Sequence, residues 1–409
     1  MSQIETTNSS KPRAANRWWI PFGSAVALVV GNGPVTLLSF GVFIRPIEAD
    51  VGWGRGHLSA TVALAAFFSA LCVPIAGALM DRRGVKRVLL PVICIYALNV
   101  AAIGLANSFP LFLALTALSG ITGAAQGPIG YQKIIARFFD KHNGLATGIA
   151  MSGVGIGTAL MPQYAQFLIA HLGWRQAYFG MAAAEAIIAL PAVLLCLREP
   201  GEPGARRSGA ALDLPGLTVP EVLRSRTFWL TVLVVLIVSM AVNGSVVHTV
   251  PFLLDRGYTP VRAASMMGAV GLSTIVGRLL TGYLLDRIFA PYVACAVFLI
   301  AAIGLGLMAN DVAPTFGAVA LGFATGTEVN VIGYMVSRYF GLKRFGQIYG
   351  YLFAALTIGS GVGPLAMGAV YSAAHSYAKA FLGFELALVI ASILILFVGR
   401  YPTRLAEPI

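Results

Sequence analysis

Long apolar segments follow one another along the whole chain and limit what it can fold into. A helix that crosses a bilayer needs about 20 mostly apolar residues. Stretches of that kind recur twelve times between clusters of charge, glycine and proline. The sequence therefore predicts an all-α integral membrane protein with 12 transmembrane helices. The predicted spans cover residues 19–45, 57–80, 88–106, 110–136, 144–170, 176–197, 227–252, 261–285, 289–309, 313–337, 346–372 and 379–400.

The composition agrees with this prediction and excludes several other classes of protein. Hydrophobic residues make up 58% of the 409 residues and charged residues only 11%, whereas a soluble chain has about 45–50% and about 25%. Disordered chains, disulfide-rich secreted domains and soluble enzymes are therefore excluded. The four cysteines lie inside apolar runs and the five histidines are scattered, so we expect no enzyme activity, no cofactor and no metal site.

The chain is basic, with a formal net charge of +12, and the position of that charge predicts its orientation. The lysines and arginines form short clusters between apolar runs, which does not fit a nucleic-acid-binding surface. Connections on the side of the N-terminus carry roughly four times as many of them as the other side, an excess typical of cytoplasmic loops. We therefore predict a multi-pass protein of the cell inner membrane with cytoplasmic tails over 1–18 and 401–409.

The two halves of the chain repeat each other. The longest connection, 198–226, is rich in Gly, Pro and Arg, and we predict that it is a cytoplasmic loop joining six-helix bundles at 19–197 and 227–400. GALMDRR after span 2 matches GYLLDR after span 8, and Pro162 in span 5 matches Pro364 in span 11. Because parallel repeats about 202 residues apart are related by an axis along the membrane normal, a binding site is expected at their interface near the midplane.

The loop after span 2 carries a motif. GALMDRRGVKR resembles the G-x-x-x-D-R-x-G-x-[RK]-[RK] loop of the major facilitator superfamily. The resemblance implies two pseudo-symmetric six-helix bundles, and a second, degenerate copy after span 8 is also expected. A small residue at the start of the motif would let two helices approach closely, and the charges would form a latch, although they could merely set the topology. The predicted cytoplasmic gate consists of Gly77, Asp81, Arg82, Arg87, Arg137, Asp286 and Arg338.

A closer resemblance is to the monocarboxylate transporters and the oxalate:formate antiporters. LLSFGVFIRPIEADVGW, RFFDKHNGLATGIAMSGVGIG and VGRLLTGYLLDR are similar to the end of their first span, the junction of spans 4 and 5, and their eighth span. The resemblance implies basic residues at the positions of Arg45 and Arg278. Two departures stand out: Thr274 occupies the place of the aspartate of the monocarboxylate carriers, and span 11 lacks the lysine of the oxalate antiporters.

Arg278 is the charge that most needs an explanation. It precedes Asp286 by eight residues, which places it roughly 12 Å inside the membrane, where a charge costs about 2.5–3.5 kcal/mol or more. Its planar guanidinium suits a carboxylate, so we predict that it binds the substrate; an ion pair that holds helices together is the alternative. Arg45, at the outer end of span 1, could receive an anion or could pair with Glu48 at the interface.

Glu328 lies between Asp311 and Arg338 in span 10 and is therefore near the midplane. A desolvated carboxyl group near an arginine can titrate near neutral pH, and we predict that Glu328 couples transport to protons. A static pair between Glu328 and an arginine is the alternative. Gln126 is its neutral counterpart in span 4, and we place Gln126 and the nearby Asn330 among the candidate substrate contacts.

Span 7 contributes Asn243 and His248 as further candidate substrate contacts, although a single histidine on an apolar helix is more often part of the hydrogen-bonded structure. Asn32 and Asn243 each precede a glycine, and these pairs predict local helix distortion. Lys133 is expected at the gate. Glu185 in span 6 and Glu385 in span 12 are expected to be structural or to contact another chain.

Together these features predict a secondary transporter that moves a monocarboxylate or related organic anion with a proton by alternating access. The expected partners are a small organic anion, a proton and the lipid bilayer, with no nucleic acid and with the chain as a monomer. An anion:anion exchanger is the main alternative. Drug:proton efflux is disfavoured because span 5 reads SGVGIGTALMP and lacks the expected G-x-x-x-G-P-x-x-G-G pattern.

Overall fold

A computed structural model describes residues 17–197, 216–374 and 377–402. Twelve helical spans within these residues are long and apolar enough to cross a membrane, which confirms the predicted all-α architecture with shifts of a few residues at the ends. Most of the predicted tails and of the loop 198–226 lies outside the described residues. The spans are Trp19–Leu38, Ala60–Arg83, Val85–Ile103, Phe109–Phe138, Asn143–Leu172, Trp174–Cys196, Arg226–Asp255, Val261–Leu285, Ala290–Ala309, Pro314–Phe340, Phe345–Tyr371 and Lys379–Val398.

Proline and glycine set many of the helix ends. Helices begin at Pro260 and Pro314, where the missing N–H has no helical partner in any case. Gly84 and Gly173 follow the helices Arg55–Arg83 and Asn143–Leu172 with positive φ angles of 91° and 83°. Glycine adopts this backbone conformation without a steric penalty. The connections between these spans are short as a result.

Three spans contain a segment with wider, π-helical turns. Span 1 is a helix over Trp19–Val29, a π-helical segment over Gly33–Leu38 and a second helix over Phe40–Val51. Spans 6 and 10 contain π-helical segments at Glu185–Ala189 and Val336–Phe340. Such segments are rare and are often found at functional sites.

The predicted helix distortion is confirmed at the first Asn-Gly pair, Asn32–Gly33, and is wrong at the second, Asn243–Gly244. Asn32 lies where span 1 breaks, just before its π-helical segment. Asn243 lies inside the uninterrupted helix Arg226–Asp255. Gly244 is needed there for another reason: a Cβ atom at this position would press on the backbone of Gly363 in span 11. The glycine allows the two helices to approach closely.

Two seams join spans 1–6, the N-terminal bundle, to spans 7–12, the C-terminal bundle. Span 2 packs along span 11 in one seam, and span 5 packs along span 8 in the other. A Cβ atom on Gly77 would clash with the carbonyl of Gly346, and one on Gly144 would clash with the carbonyl of Gly282. Small residues therefore bring the helix backbones into direct contact in both seams.

Candidate functional site

Asp81 closes one end of the seam between spans 2 and 11. Its carboxylate accepts hydrogen bonds from the backbone N–H groups of Gly346 (3.0 Å) and Gln347 (2.9 Å), the first turn of span 11. Carboxylates are stabilised at helix N-termini by these free donors and by the helix dipole. The side chain is fully buried, and Lys133 Nζ lies 2.8 Å from Asp81 Oδ1. This buried ion pair joins span 4 to the same junction.

Asp286 makes the corresponding contact in the second seam. Its carboxylate accepts hydrogen bonds from the N–H groups of Gly144 (2.7 Å) and Leu145 (2.9 Å), at the start of span 5. The side chain is half-buried, and burial raises the pKa of Asp286 above its ordinary value although the two amide donors act in the opposite sense. Each repeat thus places an aspartate from the end of one helix on the first turn of a helix in the other bundle.

The face of the protein that contains Asp81 and Asp286 is called the basic face below. Arg338 adds an exposed ion pair there, with its Nη1 2.9 Å from Asp140 Oδ1, and such pairs contribute little. Asn143 donates to Ser337 Oγ at 3.3 Å. The predicted gate residues Arg82, Arg87 and Arg137 are exposed on this face, and their role in gating stays a prediction.

The described polar contacts between the bundles all lie between the basic face and the depth of Arg278. Two polar contacts at the opposite face each stay within one bundle. Asp50 accepts a hydrogen bond from Trp174 Nε1 at 3.0 Å, and Tyr258 donates to Asp311. The polar contacts that join the two seams are therefore found on the basic side.

Arg278 lies in the seam between spans 5 and 8. It is 8% exposed, and its Nη1 donates a hydrogen bond to the carbonyl oxygen of Met151 in span 5 at 2.8 Å. The absence of a side chain at Gly155 makes room for the guanidinium, since a Cβ atom there would lie 3.2 Å from Nη1. Nε has no hydrogen-bond partner in the described residues.

Glu328 is buried beside Asn243 of span 7, and its Oε1 has no hydrogen-bond partner among the described residues. It does not pair with Arg278, which reaches span 5 instead. The alternative of a static ion pair between Glu328 and this arginine is therefore wrong for this conformation. The reason is geometric: span 8 turns Arg278 towards the seam, whereas span 10 turns Glu328 towards span 7 within its own bundle.

The other candidate substrate contacts are divided between several places. Asn330 Nδ2 donates to the backbone carbonyl of Arg278 at 2.6 Å, so that it holds the arginine's helix. His248 Nε2 lies 3.1 Å from the carbonyl of Pro364, and Nδ1 lies 3.3 Å from the hydroxyl of Tyr377. Both ring nitrogens are thus engaged within the C-terminal bundle, which fits a structural histidine better than a substrate contact.

Arg45 and Gln126 lie apart from this group. Arg45 is exposed on the helix Phe40–Val51. Gln126 is buried in the N-terminal bundle beside Glu185. The structure therefore does not bring Arg45 or Gln126 to Arg278.

Sequence reasoning missed the position of Glu185. Of the two expectations for this residue, contact with another chain is wrong, because Glu185 is 1% exposed and lies inside the N-terminal bundle, whereas a structural position agrees with this burial. No pattern in the sequence could have shown this, since helical periodicity is weak where most faces of a span are apolar. The ion pair of Lys133 with Asp81 agrees with the expectation that Lys133 belongs to the gate.

A family model described as Major Facilitator Superfamily matches residues 25–320. The chain belongs to this superfamily. It is therefore a membrane transporter and not an enzyme, as the sequence predicted.

The resemblance to monocarboxylate transporters is confirmed as a distant similarity. The chain is 27% identical to monocarboxylate transporter 13 of Bos taurus over 304 residues, which are 73% of this chain and 68% of the relative. It is 26% identical to monocarboxylate transporter 11 of Mus musculus over 387 residues, covering 89% of this chain and 83% of the relative. A crystal structure of the E. coli fucose:proton symporter FucP has the same fold, with a TM-score of 0.74 and 15% identity over 95% of this chain and 100% of that one.

Proposed function

We propose that this transporter is a proton-coupled symporter of a monocarboxylate or related organic anion that works by alternating access as a monomer. We further propose that the basic face is cytoplasmic in a cell inner membrane, so that the structure represents a conformation closed on the cytoplasmic side. The similarity to proteins named monocarboxylate transporters supports the class of substrate. The excess of lysine and arginine on this face supports the orientation.

Arg278 is the observation that carries the proposal. Its guanidinium is buried at the junction of the two bundles, and its recorded hydrogen bond goes to a neutral carbonyl. A buried cation without a counter-charge is costly, and a carboxylate would supply both the charge and a bidentate partner. We infer that the substrate replaces the Met151 carbonyl on Arg278 when spans 5 and 8 part. Arg45 is the proposed first contact of an anion that arrives from the other face.

Glu328 is the proposed proton site and acts at a distance from Arg278. Symport of one anion with one proton transfers no net charge, and each net charge moved costs about 2.3 kcal/mol per 100 mV of membrane potential. Asn243 beside the carboxyl group can donate to its charged form and accept from its neutral form. Glu328 does not pair with Arg278. Protonation of Glu328 is therefore coupled to the anion site through helix movement and not through a shared ion pair.

The test is uptake of a labelled short-chain monocarboxylate into proteoliposomes. Arg278→Gln should lower uptake about 100-fold or more, because one partner of the buried charge pair is lost, while Arg278→Lys should recover only part of it. Glu328→Gln should keep counterflow and lose the response to a pH gradient. Uptake by the wild-type protein that ignores a pH gradient would contradict the proton coupling.

Anion:anion exchange is the second candidate, and one observation favours it. Glu328 and Arg278 are not in contact, which is consistent with an anion site at Arg278 that works without a titratable partner. Exchange by the wild-type protein that is equal at all pH gradients, and unchanged in Glu328→Gln, would establish this alternative.

A further inference from the structure

Glu185 is a second buried carboxyl group, and it lies in the N-terminal bundle. It begins the π-helical segment Glu185–Ala189 of span 6 and is 1% exposed. Gln126 of span 4 adjoins it. Neither carboxyl oxygen of Glu185 and neither polar atom of the Gln126 amide has a hydrogen bond of good geometry with a described residue. The packing thus leaves four polar atoms free to form new hydrogen bonds.

No counter-charge accompanies this carboxyl group in the part of the chain that the structure describes. The titratable groups near it are tyrosines: Tyr96 from span 3, Tyr131 from span 4, and Tyr178 from span 6 itself, which lies near Tyr96. Span 1, which also packs here, contributes no titratable side chain over Trp19–Val29. A carboxylate without a cation beside it is costly in an apolar interior, so this packing favours the neutral form of Glu185.

The neighbouring amide makes reversible protonation possible at such a site. An amide group accepts a hydrogen bond from a neutral carboxyl group through its oxygen, and it donates to a carboxylate through its nitrogen. Rotation of the Gln126 side chain therefore serves both states of Glu185 without a cation. The C-terminal bundle has the same combination, with Asn243 beside Glu328. Gln126 and Glu328 occupy equivalent positions in the two repeats, so each bundle has one carboxyl–amide pair at this level.

A chain of hydroxyl groups leads from the neighbourhood of Glu185 to the distorted part of span 1. The Tyr96 hydroxyl lies 2.6 Å from Thr36 Oγ1 and donates to Asn32 Oδ1 at 3.1 Å. Thr36 belongs to the π-helical segment Gly33–Leu38 and is half-buried. Hydroxyl groups both donate and accept, so protons can pass along this chain when span 1 moves.

We propose that Glu185 is a second reversible proton-binding site, which exchanges its proton with water through Tyr96 and Thr36. When movement of span 1 brings the two groups together, the Glu185 carboxyl group passes its proton to the Tyr96 hydroxyl, Tyr96 passes its own proton to Thr36, and Thr36 releases its hydroxyl proton to water, so that no charge is left on either hydroxyl group. This inference deepens the proposed coupling and rests on it for its role in transport. The existence of the site itself does not depend on the identity of the transported solute.

Infrared difference spectroscopy of the purified protein, without any solute, tests the proposal. Between about pH 9 and about pH 5, a buried carboxyl group that takes up a proton gains a C=O stretching band. We expect the wild-type difference spectrum to contain a band that Glu185→Gln removes and that Glu328→Gln leaves in place. Glu385→Gln, the same change on the half-buried glutamate of span 12, is the matched control and should keep the band.

Two further variants keep the test decisive if Glu185→Gln does not fold. Gln126→Leu retains the carboxyl group but removes its amide, and should shift the frequency and the titration of the band. Tyr96→Phe should slow its exchange with deuterium by about tenfold, because the chain of hydroxyl groups is broken. A band that is constant across this pH range, or that Gln126→Leu leaves unchanged, would overturn the proposal. Loss of carboxylate transport with the band intact would contradict only the proposed substrate.

Discussion

The two seams between the bundles share one type of contact, an aspartate on a helix N-terminus, but they differ in the side chains around it. In both, an aspartate at the end of one helix accepts two hydrogen bonds from the first turn of a helix in the other bundle. Asp81 also pairs with Lys133, whereas Asp286 has its two amide donors and no lysine within ion-pair distance among the described residues. The repeat has thus preserved the backbone geometry while the side chains around it have diverged.

This difference suggests a division of labour between the seams. Lys133 and Asp81 both belong to the N-terminal bundle, so their ion pair stays intact when the seam between spans 2 and 11 opens, and it holds the Asp81 carboxylate in place for the two amide donors of span 11. The other seam contains Arg278, the proposed anion site, at its inner end. We therefore expect the seam between spans 5 and 8 to part first when the basic face opens.

The largest effect is expected from Asp81→Asn, which would test the division directly. The variant removes the charged acceptor of the two amide hydrogen bonds from span 11, each of which contributes about 1.5–3 kcal/mol, and it also leaves Lys133 without its partner. Spin labels on spans 2 and 11 at the basic face should report a wider separation and a lost closed population. The label separation should increase less in the double variant Asp81→Asn with Lys133→Met than in Asp81→Asn alone. Equal increases would show that Lys133 does not account for the difference between the two seams.

Glycine substitutions separate steric from electrostatic causes of the difference. A Cβ atom on Gly77 would meet the Gly346 carbonyl, and one on Gly282 would meet the Gly144 carbonyl, with backbone in contact on both sides. Gly77→Ala and Gly282→Ala should therefore destabilise the closed conformation by similar amounts, about 1–3 kcal/mol.

The same label distances check this prediction. Gly361→Ala in span 11, where a Cβ atom has no neighbour within 4 Å, should leave the distances unchanged. If only one seam responded to its glycine substitution, the two seams would differ in packing as well as in charge.

Much of the fold could be predicted from the sequence, because span length, the excess of basic residues and the repeat depend on composition along the chain. The pairing of charges could not. Glu328 and Arg278 both lie at mid-membrane depth, but depth does not tell which face of a helix a side chain occupies, and the two point to different neighbours. The sequence likewise does not tell which way Glu185 points, and span 6 places it inside the bundle at the start of a π-helical segment.

The smallest effect is expected from pH at the second seam. Burial raises the pKa of Asp286 in the closed conformation, against the effect of its amide donors and of His142 and Arg338 nearby. An opened, hydrated Asp286 would have the ordinary value of about 3.9. A group whose pKa is higher in one state binds protons more tightly in that state, so acidification should favour the closed seam.

The gain of the closed conformation should begin as the pH falls through the raised pKa of Asp286 and should be complete near the ordinary value. Labels on spans 5 and 8 at the basic face, measured in a pH series, would report it as a modest gain of the short distance. Asp286→Asn should remove that gain while leaving the response of other groups in place. A closed seam that opens in acid in the wild type, but not in Asp286→Asn, would show that the amide hydrogen bonds outweigh desolvation and that Asp286 is held as strongly as Asp81.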